Sequence, residues 1–83
     1  MKDSKPDIPT QTLDATGLLC PLPVLRAQKA LRSMAEGEVL EVHATDPASK
    51  ADMPAFCAES GHEFLGLDEQ DSLLIYQIRK QDQ

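Results

Sequence analysis

Apolar positions in this chain change spacing from segment to segment, and the changes mark its elements. Between Val24 and Ala35 they recur at three and four, with Val24, Ala27, Leu31 and Met34 on one face and Ala30 and Ala35 beside them. This spacing predicts a helix that stops at Glu36-Gly37. From Glu38 to Thr45 the period falls to two: Leu40, Val42 and Ala44 point one way, and Val39, Glu41 and His43 the other, as in a half-buried strand. Asp46-Pro47-Ala48-Ser49 reads as a turn or a short helical start. Asp52 is then a cap for a second helix, with Pro54 in its first turn and Ser60-Gly61 at its end. His62 to Leu67 and Ser72 to Lys80 are two further strands, joined through Asp68-Glu69-Gln70-Asp71 as a hairpin loop. Ahead of the first helix, Gln11 to Ala15 forms a short strand.

The resulting order, β-α-β-α-β-β, places the chain in the α/β class, more narrowly an α+β two-layer sandwich. A strand, helix, strand unit of this length is parallel and right-handed, whereas the last two strands are antiparallel, so a mixed four-stranded sheet is expected. Two helices are too few to cover both faces, and both are expected on one. The last strand carries Leu74, Tyr76 and Ile78 on one side but also Leu73 and Ile75 on the other. The bare face therefore offers either a docking or dimer patch or ordinary scattered exposure; a monomer is expected. Residues 1–10, polar with two prolines, read as a disordered arm, residues 11–80 as a single domain and residues 81–83 as a tail.

Charge narrows the partners. The chain of 83 residues carries a net charge of −6, which argues against direct nucleic-acid binding, where Lys and Arg must neutralise phosphates. Its distribution is uneven: residues 11–35 sum to +2 and residues 36–83 to −8. Arg26, Lys29 and Arg32 recur every three residues on the first helix, as a stripe that meets an acidic partner or as a solvated face. No apolar run approaches the ~20 residues of a membrane span, and the opening residues lack the apolar stretch of a signal peptide, so a cytoplasmic location is expected.

The segment Gly17-Leu18-Leu19-Cys20-Pro21-Leu22-Pro23 carries the candidate chemistry. Pro is favoured at the first helical position, which puts Cys20 at the N-cap. Pro23 also falls in the first turn, where its missing N–H costs no intrahelical bond, and Gly17 gives the preceding loop its freedom. With the amides of Leu22 and Val24 unpaired at the positive end of the helix dipole, the Cys20 thiol is expected to ionise below its usual value.

This Cys-Pro-Leu-Pro element, following Leu13-Asp14-Ala15-Thr16-Gly17, resembles the start of the TusA/SirA family of small sulfur carriers. Thr45-Asp46-Pro47, Asp52-Met53-Pro54 and Gly61-His62 match further motifs of that family in order, so the resemblance spans residues 12 to 80. It implies a two-layer α/β fold and a single working cysteine, Cys20, that holds sulfane sulfur as a persulfide. It also implies protein partners: a cysteine desulfurase or rhodanese-like donor, and an acceptor protein, for example on the way to tRNA 2-thiouridine. Related proteins are tied instead to sulfur oxidation or molybdenum cofactor supply. The family's partner-facing surface resembles the Arg26, Lys29 and Arg32 stripe in placement.

The residues agree with a relay of this kind. A thiolate can take the terminal sulfur of a donor persulfide and surrender it to another thiolate, with no metal or cofactor. Cys57, 37 positions away, reads as core beside Met53 and Phe56. His43 and His62 stand outside any metal-ligand spacing, and His62 reads as structural rather than as a proton donor. Asp14 and Asp46 suit turn chemistry or orientation of the cysteine loop. The rival reading is a non-catalytic regulatory or protein-interaction module.

Overall fold

The structure, a computed structural model, describes residues 9–81. Most of the expected N-terminal arm and the last two residues of the expected tail lie outside that range. Within it, β1 (Gln11–Ala15), α1 (Leu22–Arg32), β2 (Val39–Ala44), α2 (Ser49–Ser60), β3 (Glu63–Gln70) and β4 (Leu73–Arg79) follow one another in the β-α-β-α-β-β order read from the sequence. They build a mixed sheet of order β1-β2-β4-β3, in which β1 runs parallel to β2 and the other pairs are antiparallel.

Alternation decides which side chains meet the helices. Leu40, Val42 and Ala44 of β2 and Leu74, Tyr76 and Ile78 of β4 are all buried, and so are Ala27, Leu31 and Met34 of the α1 segment and Met53 and Cys57 of α2. Each large apolar side chain fully buried here contributes about 1.5–3 kcal/mol of transfer free energy. The opposite face is polar at its centre, where Glu41 accepts from Gln77 at 3.2 Å and stands 2.7 Å from His43. These contacts hold the Glu41 carboxyl below its usual range, the His43 hydrogen bond contributing most. Leu73 and Ile75 are half-buried among them.

Several boundaries differ from the sequence reading, each for a local reason. Thr10 already runs beside β2, its N–H donating to the Val39 carbonyl at 2.7 Å. The first helix stops at Arg32, where the Lys80 ammonium donates to the Leu31 carbonyl at 2.6 Å and suits the negative helix end. The final hairpin is tighter than expected. Asp68, Glu69 and Gln70 stay in β3 and pair with Ile75, Leu74 and Leu73, leaving Asp71-Ser72 as the turn, with Asp71 at φ 57. A register shift between Phe64 and Gly66 makes room for Leu65.

The second helix starts earlier than its expected Asp52 cap. The Asp46 side chain accepts from the Ala48 N–H at 3.1 Å, and its carbonyl accepts from both the N–H and the hydroxyl of Ser49. The Asp46-Pro47 turn thus nucleates the helix. Pro54 consequently sits inside α2 rather than in its first turn, and Asp52 becomes a first-turn side chain free to face another element.

Candidate functional site

Cys20 is presented at the end of the β1–α1 loop, and the β2–α2 loop holds it there. Gly17 takes φ 80, and its N–H donates to Thr45 Oγ1 at 2.9 Å. The Cys20 N–H donates to Asp46 Oδ2 at 2.7 Å. Asp14 closes its own turn, accepting from the N–H and the hydroxyl of Thr16, which lowers its carboxyl pKa. Asp46 therefore serves two loops at once: one oxygen fixes the cysteine backbone while the other starts α2.

The expected N-cap position of Cys20 is corrected. The helix begins at Leu22, with Pro21 at the cap and Pro23 in the first turn, and the Cys20–Pro21 peptide is cis. Pro23 is buried, so its ring helps seat the helix as well as tolerating the first turn. The Leu22 amide, expected to be free for the sulfur, donates instead to the Leu19 carbonyl at 2.8 Å. Prolines at 21 and 23 supply no amide hydrogen, so the first turn offers the thiol little of the donor array foreseen.

What the sulfur meets is a carboxylate. Cys20 Sγ lies 2.6 Å from Asp52 Oδ2, where the thiol donates to the carboxylate. The expected lowering of the Cys20 pKa is thus reversed. The Asp52 hydrogen bond pushes it up, followed by loss of hydration and the charges of Asp52 and Asp46. Sequence reasoning placed Asp52 as a cap. Its role beside the cysteine depends on α2 starting early, which no local spacing disclosed.

Cys20, Pro21, Val24, Asp52, Phe56 and Glu59 are among the residues lining an open groove of about 360 Å³ between α1 and α2. Val24, Ala55 and Phe56 give it apolar lining, and its charged lining residues are the carboxylates Asp52 and Glu59. Arg26 and Lys29 instead flank a separate hollow beside Leu13, Ala30 and Ser33, and Arg32 is exposed near the helix end. The basic stripe and the cysteine groove therefore occupy different sides of α1. Leu19, 70% exposed, and Leu22 and Leu25 are exposed large apolar side chains close to the cysteine in sequence, which the sequence reading did not single out.

Cys57 lies in the core at 2% exposure, and burial pushes its thiol up to about 11. His43 stands next to Glu41 on the bare sheet face, and His62 accepts from the Gln81 N–H at 3.1 Å while its ring packs 5.9 Å from that of Phe56. Among the described residues no group of three or more His, Cys, Asp or Glu is placed to hold a metal ion, and no helix is long and apolar enough to cross a membrane.

Comparison with known proteins adds an independent line. The sulfurtransferase TusA family matches residues 11–80. The sulfur carrier protein TusA of Pseudomonas entomophila is 52% identical over 69 residues, covering 83% of this chain and 86% of that protein. The sulfur carrier protein TusA of Allochromatium vinosum is 47% identical over 70 residues, covering 84% and 92%. Among solved structures, a SirA-like protein from Desulfitobacterium hafniense superposes with a TM-score of 0.78 at 29% identity, covering 88% of this chain and all of that one. A family match across the whole β-α-β-α-β-β domain, relatives near half identity and a shared fold agree with one another, and the chain belongs to the TusA family of sulfur carriers.

Proposed function

We propose that Cys20 accepts sulfane sulfur as a persulfide from a protein donor, a cysteine desulfurase or a rhodanese-like protein, and passes it to an acceptor protein, for example toward 2-thiouridine in tRNA. The observation that carries this reading is the contrast between the two thiols. Cys20 is exposed at a loop end and open to a second protein, whereas Cys57 is buried in the core. A buried, protonated thiol is poorly placed to resolve the persulfide into a disulfide, so the loaded state can wait for its acceptor. Gly17, Pro21 and Pro23 shape the loop, and Arg26, Lys29 and Arg32 offer a docking stripe for partners. A cytoplasmic setting, which keeps thiols reduced, suits the chemistry.

Intact mass tests it. Incubation of the reduced protein with a cysteine desulfurase and free cysteine adds about 32 Da, one sulfur, removed by reductant and absent from Cys20→Ser. If neither that donor nor a rhodanese with thiosulfate loads Cys20, the persulfide reading fails and a non-catalytic interaction module takes its place.

A further inference from the structure

We propose that Asp52 is the proton-transfer residue of the sulfur exchange, taking the Cys20 thiol proton as sulfur arrives and giving it to the thiolate that leaves. The inference rests on the persulfide reading above and adds a second catalytic residue to it. Its basis is geometric: Asp52 Oδ2 stands 2.6 Å from Cys20 Sγ, across the α1/α2 groove. The cysteine backbone is independently fixed by Asp46, so the contact joins two anchored groups.

The groove makes such a residue necessary. The charged side chains around the sulfur are Asp46 from the β2–α2 loop and Asp52 from α2, with Glu59 farther along the same helix, and α1 contributes the neutral Gln28. Among the described residues no Lys, Arg or His lines the groove to support a free thiolate. The thiol therefore rests in its protonated form, and attack requires that the proton depart as the sulfur–sulfur bond forms.

The step balances without an oxidant. In loading, the donor R–S–SH loses the bond between its own sulfur and the terminal sulfur, and Cys20 Sγ forms a new bond to that terminal sulfur. The thiol proton passes to Asp52 and then to R–S⁻, which leaves as R–SH. In delivery, an acceptor thiol attacks the terminal sulfur of the Cys20 persulfide. As the acceptor thiol attacks, its proton passes to Asp52; the bond between Cys20 Sγ and the terminal sulfur breaks, and Asp52 returns that proton to Cys20 Sγ, which leaves as the thiol rather than as a thiolate facing two carboxylates. Total sulfane sulfur and electrons are unchanged in both directions.

The test compares wild type, Asp52→Asn and Asp52→Glu, using glutathione persulfide as a small donor and iodoacetamide as a probe that needs no proton for its leaving iodide. Asp52→Asn keeps the shape and a hydrogen-bonding oxygen but removes the charge and the base. Alkylation at pH 7 is expected to rise severalfold because the thiol is released from the carboxylate. Sulfur loading is expected to fall at least about tenfold, below the ~10²–10⁴ typical of a positioned acid or base because thiolates leave readily. Asp52→Glu restores loading, and circular dichroism checks that all three are folded.

Opposite movement of the two rates is the signature of proton transfer. Loading by Asp52→Asn at or above the wild-type rate overturns the proposal, and so does a parallel fall of loading and alkylation, which would mark Asp52 as a positioning residue only. Failure of the wild type itself to gain sulfur would instead refute the persulfide reading, so the two ideas fail separately.

Discussion

The hydroxyls of Ser49 and Tyr76 meet at 2.6 Å inside the core, joining the first turn of α2 to the middle of β4. Ser49 spends its proton on the Asp46 carbonyl at 2.8 Å, so Tyr76 is the donor in the pair. Because Asp46 also holds the Cys20 N–H, a hydrogen-bond chain runs from the buried centre of the sheet out to the exposed cysteine loop. Its two ends are not equivalent. Tyr76→Phe leaves Ser49 satisfied and is expected to cost about 1 kcal/mol, whereas Ser49→Ala strands the buried Tyr76 hydroxyl and is expected to cost about 1–3 kcal/mol. Urea unfolding of both, with the double variant no less stable than Ser49→Ala, checks the assignment.

The Cys20 thiol should ionise above the usual 9.0, because the Asp52 hydrogen bond, lost hydration and two nearby carboxylates all favour the protonated form. Iodoacetamide alkylation of Cys57→Ala, followed against pH, should therefore show a midpoint above that of free cysteine and a slow reaction at pH 7. A midpoint below it would restore the helix-dipole expectation and contradict the observed geometry.

Asp46→Ala removes the acceptor for both the Cys20 and the Ala48 N–H. Loss of the helix-starting bond is expected to cost about 1 kcal/mol, in the range of a lost N-terminal cap. Sulfur loading should fall too, since the cysteine loses its backbone tether. Thermal unfolding together with loading by a small persulfide donor measures both, and a stable variant that loads normally would remove Asp46 from the site.

These dependencies explain what the sequence could and could not disclose. Period-two alternation in Glu38–Thr45 and the spacing of Ala27, Leu31 and Met34 report burial directly, because a face either meets the core or does not. The turn into the cysteine loop was legible from Gly17, and Pro21 and Pro23 placed the start of α1 to within one residue. Asp52 was not. Its contact with Cys20 spans 32 positions and requires α2 to begin at Ser49, four residues before a local reading of Asp52-Met53-Pro54 would begin it. The sign of the Cys20 pKa shift followed that boundary. A helix beginning at Pro21 would have pointed amides at the sulfur, whereas one beginning at Leu22 engages the first amide with Leu19 and leaves a carboxylate to dominate.

Cys57 should make stability fall in alkali. Its folded pKa of about 11 exceeds the usual 9.0, so the folded state keeps a proton that the unfolded state has released between those values. Stability from this group is thus complete below pH 9 and is lost as pH rises toward 11, with a total on the order of 3 kcal/mol at about 1.4 kcal/mol per pH step of one. Cys20 and Tyr76 are also shifted upward and add to the slope. Cys57→Ala is therefore the control: less stable at pH 7 through its cavity, but with a shallower decline from pH 9 to 11 in denaturant titrations. An unchanged slope would remove Cys57 as its source.

Exposed Leu19 precedes the cysteine and, with Leu22 and Leu25, presents apolar side chains where a protein donor must approach. Three exposed leucines between positions 19 and 25, next to the working cysteine in sequence, favour a partner surface over scattered exposure. Leu19→Asp leaves the core untouched and is expected to change stability by no more than about 0.5 kcal/mol. Loading by a small persulfide should persist, because Asp46 still holds the cysteine backbone and Asp52 the thiol. Loading by a cysteine desulfurase should fall at least about tenfold, the equivalent of losing about 1.4 kcal/mol of binding. Replacing Arg26 and Lys29 by Gln, in contrast, should slow association chiefly at low salt, because exposed charges act through long-range attraction that ions screen. If Leu19→Asp impairs both donors equally, the leucine serves the thiol itself; if neither changes, the apolar surface lies outside the transfer interface.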